Sequence, residues 1–211
     1  MAAQWVHALI ILVRVYVFGV SLVMKLPQIM MIWRANSSKG INLTSVLMET
    51  WCWSMSFSYQ FANNYPWTSL IELPVLMIQC LILALVVIYT RDQLHPSLLL
   101  YFALYNGAVF AIASGLVPSW MRSILMSCNL PIASTSKVIQ LQSLLISKDA
   151  GKLSTLTWFI AVSTSYGRFF VNILTIADKI LMTNFFVAGT LNGAVLLATM
   201  YYKNQSKKKL F

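Results

Sequence analysis

Acidic side chains are scarce in this sequence. The 211 residues include 5 Asp and Glu against 15 Lys and Arg, and only 9% of the chain is charged whereas 59% is hydrophobic. A soluble domain carries about 25% charged residues, so a folded soluble domain beside the apolar segments is excluded. The net charge of +10 is not gathered on a basic face of the kind that binds nucleic acid, and no nucleic-acid partner is expected.

Residues with catalytic or metal-binding side chains are also few. The chain has three cysteines, all in or beside apolar runs, and two histidines, His7 and His95, which are distant in sequence. An odd number of cysteines at such positions argues against a disulfide framework. No metal-ligand spacing, nucleophile with a base, or glycine-rich phosphate loop is present. We therefore expect no catalytic residue, no metal and no cofactor, and we do not expect an enzyme.

Apolar runs are abundant. Each of seven runs is long enough for the roughly 20 residues that a membrane-spanning helix needs. They cover residues 5–33, 43–62, 68–90, 97–117, 121–146, 155–176 and 183–202. The first run has no basic leader or small-residue cleavage site and is interrupted by Arg14, so a signal peptide is not expected. The pattern predicts an all-α membrane protein with seven transmembrane helices.

The two halves of the chain repeat a motif. Lys25 and Gln28 stand three apart, followed by a basic loop, a glycine and a Ser/Thr-containing start of the next run. About 112 residues later, Lys137 and Gln140 show the same arrangement. A single linker helix lets both copies run in the same direction, which predicts a parallel 3+1+3 repeat. The predicted parts are a first three-helix repeat at 1–90, linker helix 4 at 91–118, and a second repeat with a basic tail at 119–211.

Prolines inside two runs predict hinges. A proline lacks the backbone N–H and clashes with the carbonyl four residues earlier, so Pro27 should bend the first helix. Lipid does not tolerate the opened backbone, and neighbouring helices must cover it. We expect a hinge at Pro27 and Gln28. In the second copy, Pro131 is the hinge candidate, but it lies six residues before Lys137, so the symmetry of the two hinges is open.

Lysine and arginine are unevenly distributed among the loops. With the amino terminus outside, nine fall in cytosolic segments and two, Arg122 and Lys179, on the other side. This bias predicts a lumenal amino terminus and a cytosolic carboxyl terminus. The glycosylation sequons at Asn36, Asn42 and Asn204 then lie on the cytosolic side, and we expect them to stay unmodified.

The carboxyl end carries two lysines, Lys208 and Lys209, at the fourth and third positions from the end. They resemble the dilysine retrieval signal of endoplasmic reticulum membrane proteins. The other interpretation is an ordinary basic stop after the last helix, a role that Lys203 already fills. We expect residence in the endoplasmic reticulum, with another endomembrane as the alternative.

Apart from Arg122 at the start of the fifth run, six charged side chains lie inside the apolar runs, four basic and two acidic: Arg14, Lys25, Lys137, Arg168, Glu49 and Glu72. A charge at such depth costs a few kcal/mol, so each should have a partner or line a wet cavity. Lys25 and Glu49 lie at similar depths along their helices, and we expect them to pair within the first bundle. A pair of Glu72 with Arg168 would join the two bundles. A purely structural role is open for both pairs.

Lys137 differs from the other charges, since its own copy has no acid at the equivalent place, where Phe159 and Ile160 lie. It either snorkels to the interface or binds an anionic group of a ligand. Together with amides at depth, the charged residues make up the candidate substrate-binding set: Lys25, Glu49, Glu72, Gln79, Lys137, Gln140, Arg168 and Asn192.

The ordered set of motifs resembles the PQ-loop repeat family. The segments 25–28 and 64–79 carry the resemblance in the first half, and Lys137, Gln140 and Asn192 extend it through the second. The chain looks most like the branch with the solute carrier family 66 and mannose-P-dolichol utilisation defect proteins. The resemblance implies a SWEET-like fold of two three-helix bundles, in which Asn192 matches a helix 7 asparagine near the substrate. It departs from the family in the second copy, which has no Pro-Gln pair.

Three functions remain open at this point. The first is a carrier that moves a small polar or anionic solute by rocking of two bundles. The second is a non-transporting factor of the endoplasmic reticulum that handles dolichyl-phosphate sugars for oligosaccharide biosynthesis, as the dolichol branch implies. The third is a membrane receptor or assembly protein on the same fold. The expected partners are the lipid bilayer and a small solute or a dolichyl-phosphate sugar, and a homo-oligomer is left open.

Overall fold

The computed structural model describes residues 2–38, 42–91, 95–147 and 155–208. All regular secondary structure in these four ranges is α-helical. The helices are α1 Ala2–Val23, α2 Leu26–Ala35, α3 Leu43–Ala62, α4 Trp67–Leu70, α5 Glu72–Tyr89, α6 Ser97–Ala113, α7 Ser119–Ser127, α8 Asn129–Ser147, α9 Thr155–Thr175 and α10 Lys179–Lys208. The predicted basic loops at 39–41 and 148–154, and Lys209 of the dilysine pair, lie outside the described residues.

Each predicted apolar run coincides with one helix or with two successive helices. The fourth run was expected to reach residue 117, but α6 ends at Ala113 because Gly115 takes a left-handed conformation with φ of 81°. The seventh run was expected to begin at 183, but α10 begins at Lys179. The Asp178 carboxylate accepts the Leu181 backbone N–H at 2.9 Å, which satisfies one of the first amides of the helix.

Three helix breaks have one cause, a proline four residues further on. The helices that end there are α1 at Val23, α4 at Leu70 and α7 at Ser127, and the prolines are Pro27, Pro74 and Pro131. Each proline lacks the N–H that would bond the last carbonyl of the preceding helix, and its ring crowds that carbonyl. Each then lies in the first turn of the following helix, where its missing N–H has no cost. A helix break therefore exists in both predicted hinge regions, in the first copy within the Lys-Gln motif and in the second copy before it.

Three helical stretches are long and apolar enough to cross a membrane: Gln4–Ala35, Trp67–Tyr89 and Lys179–Gln205. The stretch Ser97–Ala113 is apolar but shorter, at about 25 Å for a rise of 1.5 Å per residue. The helices α3, α8 and α9 have 20, 19 and 21 residues but carry many Ser, Thr and amide side chains. The chain is thus an all-α membrane protein. Three of the seven predicted spans are supported by length and apolarity, and the other four stay a prediction.

The chain divides into two compact units, Met1–Asn129 and Leu130–Phe211. In the first unit α3 is central. At one end it packs with α2 and α5 around Ile32, Val46 and Leu83, and further along it packs with α6 through Met55 and Val109. The predicted repeat boundaries at 90 and 118 stay a prediction, because a repeat is defined by internal similarity and not by compactness.

The second unit is built on α9 and α10, which pack along much of their length. Gly189 of α10 faces the ring of Tyr166, where an added Cβ would lie 3.1 Å from the ring carbons. The absence of a side chain at Gly189 therefore permits the close approach of the two helices.

Candidate functional site

A row of polar contacts runs between the helices of the first apolar run, α1 and α2, and those of the third apolar run, α4 and α5. The contacts occur in parallel order along the two elements. They join Arg14 to Thr68, Ser21 to Glu72, and Lys25 to Gln79. The spacing of 7 and 4 residues between Arg14, Ser21 and Lys25 places all three on one helix face. We call this set of six residues the polar seam.

At the inner end of the polar seam, the Gln79 side chain bridges the break between α1 and α2. Its Oε1 accepts the Lys25 backbone N–H at 3.0 Å, and its Nε2 donates to the carbonyls of Ser21 at 3.0 Å and Leu22 at 2.9 Å. In an unbroken helix, Lys25 N–H would donate to the Ser21 carbonyl directly. One buried amide therefore replaces that bond with two, and it covers the backbone that Pro27 opens.

The same break positions an ion pair. The Lys25 ammonium lies 2.7 Å from Glu49 Oε2 of α3, with side-chain exposures of 14% and 35% respectively. The contact expected from the depths of the two residues is thus present. Because the Lys25 backbone is held by Gln79 and its side chain by Glu49, this residue ties α1, α3 and α5 together at one level.

Glu72 begins α5 and accepts the Ser21 hydroxyl at 3.1 Å. Its predicted partner, Arg168, is half-buried in α9 of the second unit. The pair would join two units that are described separately, so it stays a prediction. Gln28 lies half-buried in the first turn of α2, directly after Pro27.

In the second unit, Lys137 lies within an unbroken stretch of α8. Its ammonium donates to the Ala133 carbonyl, one turn earlier, at 3.2 Å. Gln140 follows one turn later and is half-buried. Pro131 stands in the first turn of α8, next to the break at Cys128 and away from this motif.

Asn192 joins α10 to α9. Its buried amide donates to the Ala161 carbonyl at 3.2 Å and to the Ser165 hydroxyl at 3.1 Å. About two turns beyond Ser165, Asn172 is also buried, with 3% of its surface exposed. The side-chain amide of Asn192 is therefore buried like that of Gln79, but it bonds an unbroken neighbouring helix, α9.

Sequence reasoning missed part of the polar seam. Ser21 and Thr68 were not among the candidates, since single hydroxyl residues are common in apolar helices. The available signal was the common helix face that Ser21 shares with Arg14 and Lys25. It also missed the contact of α6 with α3, where the Tyr105 hydroxyl lies 2.6 Å from Ser54 Oγ.

The helix break before Pro27 and half of the polar seam fall within a recognised repeat. Residues 16–69 match the sequence model of the PQ-loop repeat. This chain contains a PQ-loop repeat. The matched segment holds the break before Pro27, the Lys25–Glu49 ion pair, Ser21 and Thr68, whereas Arg14 precedes it and Glu72 and Gln79 follow it. The resemblance inferred from the sequence motifs is therefore confirmed.

The chain also has a relative that it matches over most of its length. It is 28% identical over 190 residues to solute carrier family 66 member 3 of Homo sapiens, and the alignment covers 90% of this chain and 92% of the relative. The similarity thus extends well beyond the matched repeat and includes the second unit. A relationship to the solute carrier family 66 proteins, inferred from the motifs, agrees with this finding.

Proposed function

We propose that this PQ-loop protein is a carrier that moves a small polar or anionic solute across a membrane. The observation that carries the proposal is the broken α1–α2 helix, with its backbone bridged by Gln79 and its Lys25 ammonium paired to Glu49. Carriers commonly build their sites at discontinuous helices whose opened backbone faces protein or a wet cavity. The human relative carries the name solute carrier, which supports the same reading.

The proposed architecture is seven transmembrane helices in a parallel 3+1+3 arrangement. Each of the seven apolar runs is helical, and the Lys-Gln motif recurs about 112 residues apart. The polar helices α3, α8 and α9 would then be shielded from lipid by their neighbours. We place the amino terminus in the lumen and the carboxyl terminus in the cytosol, from the distribution of basic residues.

The proposed movement is a change at the helix break. In one state Gln79 bridges Lys25 and Ser21, as in this structure. In the other, α1 and α2 realign and Gln79 withdraws, which frees its amide for a solute. The charges supply the selectivity, since four basic and two acidic side chains within the apolar runs leave a surplus that favours an anionic group. The candidate binding residues, including Arg168 and Asn192, are proposed on this basis.

Flux measurements test the carrier directly. Purified full-length protein in vesicles should accelerate the uptake of at least one solute from a panel of small anions, amino acids and sugars, relative to protein-free vesicles. Lys25→Met should abolish that uptake, and Lys179→Gln, which removes an exposed positive charge at the start of α10, should not. An accelerated flux that both variants keep would remove Lys25 from the mechanism.

A second function, handling of dolichyl-phosphate sugars without transport, is favoured by the basic surplus within the helices, because the ligand is an anionic lipid. It predicts no flux in vesicles and altered lipid-linked oligosaccharide precursors when the gene is deleted. A receptor or assembly role predicts instead a stable protein partner recovered with the purified chain. That the protein is not an enzyme stays part of this proposal.

We also propose residence in the endoplasmic reticulum through the lysines at 208 and 209. Changing both to Ser should release the protein to later compartments of the secretory route, as followed by fluorescence microscopy with organelle markers. Lys203→Ser is the matched control, because it alters the basic flank of α10 without touching the terminal pair. An unchanged distribution of the double variant would assign the terminal lysines to membrane orientation alone.

A further inference from the structure

An open cavity of about 420 Å³ lies where α2 and α5 end, and it is lined by Asn36, Tyr89, Thr90 and Arg91. These helix ends are also the ends of two membrane-spanning stretches, at Ala35 and Tyr89. The two stretches lie side by side in parallel order, as the polar seam shows. The cavity is therefore at the level where the hydrocarbon of the membrane gives way to lipid headgroups.

An aromatic pair marks the same level. Trp33 and Tyr89 stack with their ring centroids 6.1 Å apart, and 62% and 54% of their surfaces are exposed. Tryptophan and tyrosine concentrate at the membrane–water interface, where an amphipathic ring meets both environments. Tyr89 both lines the cavity and belongs to this pair, so the wall of the cavity continues into the lipid-facing surface.

The charged residue among those that line the cavity is an arginine. Arg91 lines it, and its Nε donates to the Ser38 hydroxyl at 3.2 Å, which fixes the plane of an otherwise exposed guanidinium. Ser38 itself is buried, with 4% of its surface exposed. Arg34 stands in the last turn of α2, close to Asn36 in sequence. A guanidinium held in a fixed plane matches the oxygen atoms of a phosphate group.

We propose that this cavity binds the phosphate-bearing headgroup of an anionic membrane lipid. Basic pockets between helices at the cytoplasmic surface hold such headgroups, and the volume falls within the range of about 300–1,000 Å³ for small-ligand sites. Arg91 contacts the phosphate, the Asn36 side chain supplies a neutral hydrogen-bonding group, and the acyl chains lie against Tyr89 and Trp33. The Thr90 hydroxyl lines the cavity but already donates to the carbonyls of Val86 and Val87. The orientation proposed above puts the cavity in the cytosolic leaflet, where anionic lipids are concentrated.

The site is independent of transport. It lies at the end of the first unit, beyond the polar seam, and it requires neither a moving hinge nor a solute. No part of the carrier proposal depends on this cavity. A lipid that stays bound there would anchor the ends of α2 and α5 at the membrane surface.

Lipid binding to the full-length protein tests the proposal. The protein is placed in nanodiscs of neutral phosphatidylcholine, and phosphatidylinositol 4-phosphate is titrated in while bound lipid is counted by native mass spectrometry. We expect saturable binding that Arg91→Gln weakens by about tenfold or more, the loss of roughly 1.4 kcal/mol of a charge-assisted contact. Arg91→Lys should retain part of the binding, since it keeps the charge but not the planar fork.

The control is Lys179→Gln, which removes one exposed positive charge at the start of α10 and should leave binding unchanged. Thermal unfolding of each variant in neutral lipid separates loss of the site from loss of the fold. Equal binding by wild type and Arg91→Gln, with both folded, would overturn the proposal. Inorganic phosphate is added to nanodiscs that contain the bound lipid. If it displaces the lipid at a concentration equal to that of the lipid, the site takes a free anion and the lipid assignment is wrong.

Discussion

The two copies of the Lys-Gln motif use the same lysine in different ways. In the first, Lys25 lies at a helix break and its ammonium pairs with Glu49 at 2.7 Å. In the second, Lys137 lies within unbroken α8 and its ammonium reaches the carbonyl of Ala133 on its own helix at 3.2 Å. The offset of about 112 residues that relates the two lysines leads from Glu49 to the stretch of Phe159, Ile160 and Ala161, which contains no acid. The second copy therefore has no carboxylate at the position that pairs with the lysine in the first copy.

The position of the proline explains the rest of the difference. Each break ends a helix four residues before a proline, and in the first copy that places the break next to Lys25. In the second copy Pro131 places it at Cys128, nine residues before Lys137, which is about 13 Å along a helix. The first unit therefore combines an opened backbone with charge, and the second separates them. If a solute is gated at a helix break, the first unit is where charge and movement are coupled.

The amides at depth sharpen this comparison, and they predict the largest effect on stability. Gln79→Leu removes the partners of three backbone groups at the break, and we expect it to lower the free energy of unfolding by about 2–3 kcal/mol. Asn192→Leu should cost about 1 kcal/mol, because the Ala161 carbonyl and Ser165 hydroxyl that it contacts also bond within α9. Equilibrium unfolding in mixed micelles measures both, and equal losses would show that the bridge is not special.

The Lys25–Glu49 ion pair predicts the second-largest effect on stability. Lys25→Met leaves Glu49 with no cation at depth, and we expect a loss of about 1–3 kcal/mol in the free energy of unfolding, moderated by the 35% exposure of the Glu49 side chain. The double variant Lys25→Met with Glu49→Gln should be more stable than the Lys25→Met variant, since the uncompensated charge is gone. A double variant no better than the single one would mean that the two residues act independently.

Proline replacement tests the breaks themselves. Pro27→Leu supplies the N–H that the Val23 carbonyl lacks, so α1 and α2 can join, and the Gln79 bridge loses its site. We expect the variant to insert with stability within about 1 kcal/mol of wild type but to lose activity, whereas Pro131→Leu should keep more of it. Hydrogen exchange at the amides of residues 23–27 reports the joined helix. Full activity with a joined helix would exclude gating at this break.

Much of the fold could be predicted from the sequence, because apolar runs and prolines act locally. The seven runs are helical, and every break follows from a proline whose position is plain in the chain. The Lys25–Glu49 contact could also be predicted, since two opposite charges at equal depth in adjacent helices have few other partners.

The parts that were missed depend on packing. Nothing local distinguishes Gln79, which bridges a distant backbone, from Gln28 or Gln140, which lie in similar apolar surroundings. Likewise the end of α6 depends on the conformation of Gly115, and the cavity at Arg91 forms only because α2 and α5 end at the same level. The partner of a polar group at membrane depth is set by which helices are neighbours, and a single sequence does not state that.

Lys137 gives the smallest expected change in stability and the clearest test of the comparison. Its ammonium contacts the Ala133 carbonyl one turn earlier on the same helix, and the loss of such a contact costs little free energy. Lys137→Met should therefore change the free energy of unfolding by less than about 0.5 kcal/mol. Lys25→Met should change it several times more. The proposed function assigns Lys137 to an anionic group of the solute at membrane depth, so its replacement should affect function more than stability. Lys137→Met should therefore abolish solute binding in the folded protein, and Lys137→Arg should retain part of it. If Lys137→Met binds and complements as wild type does, the lysine only snorkels toward the interface, and it has no part in selecting the solute.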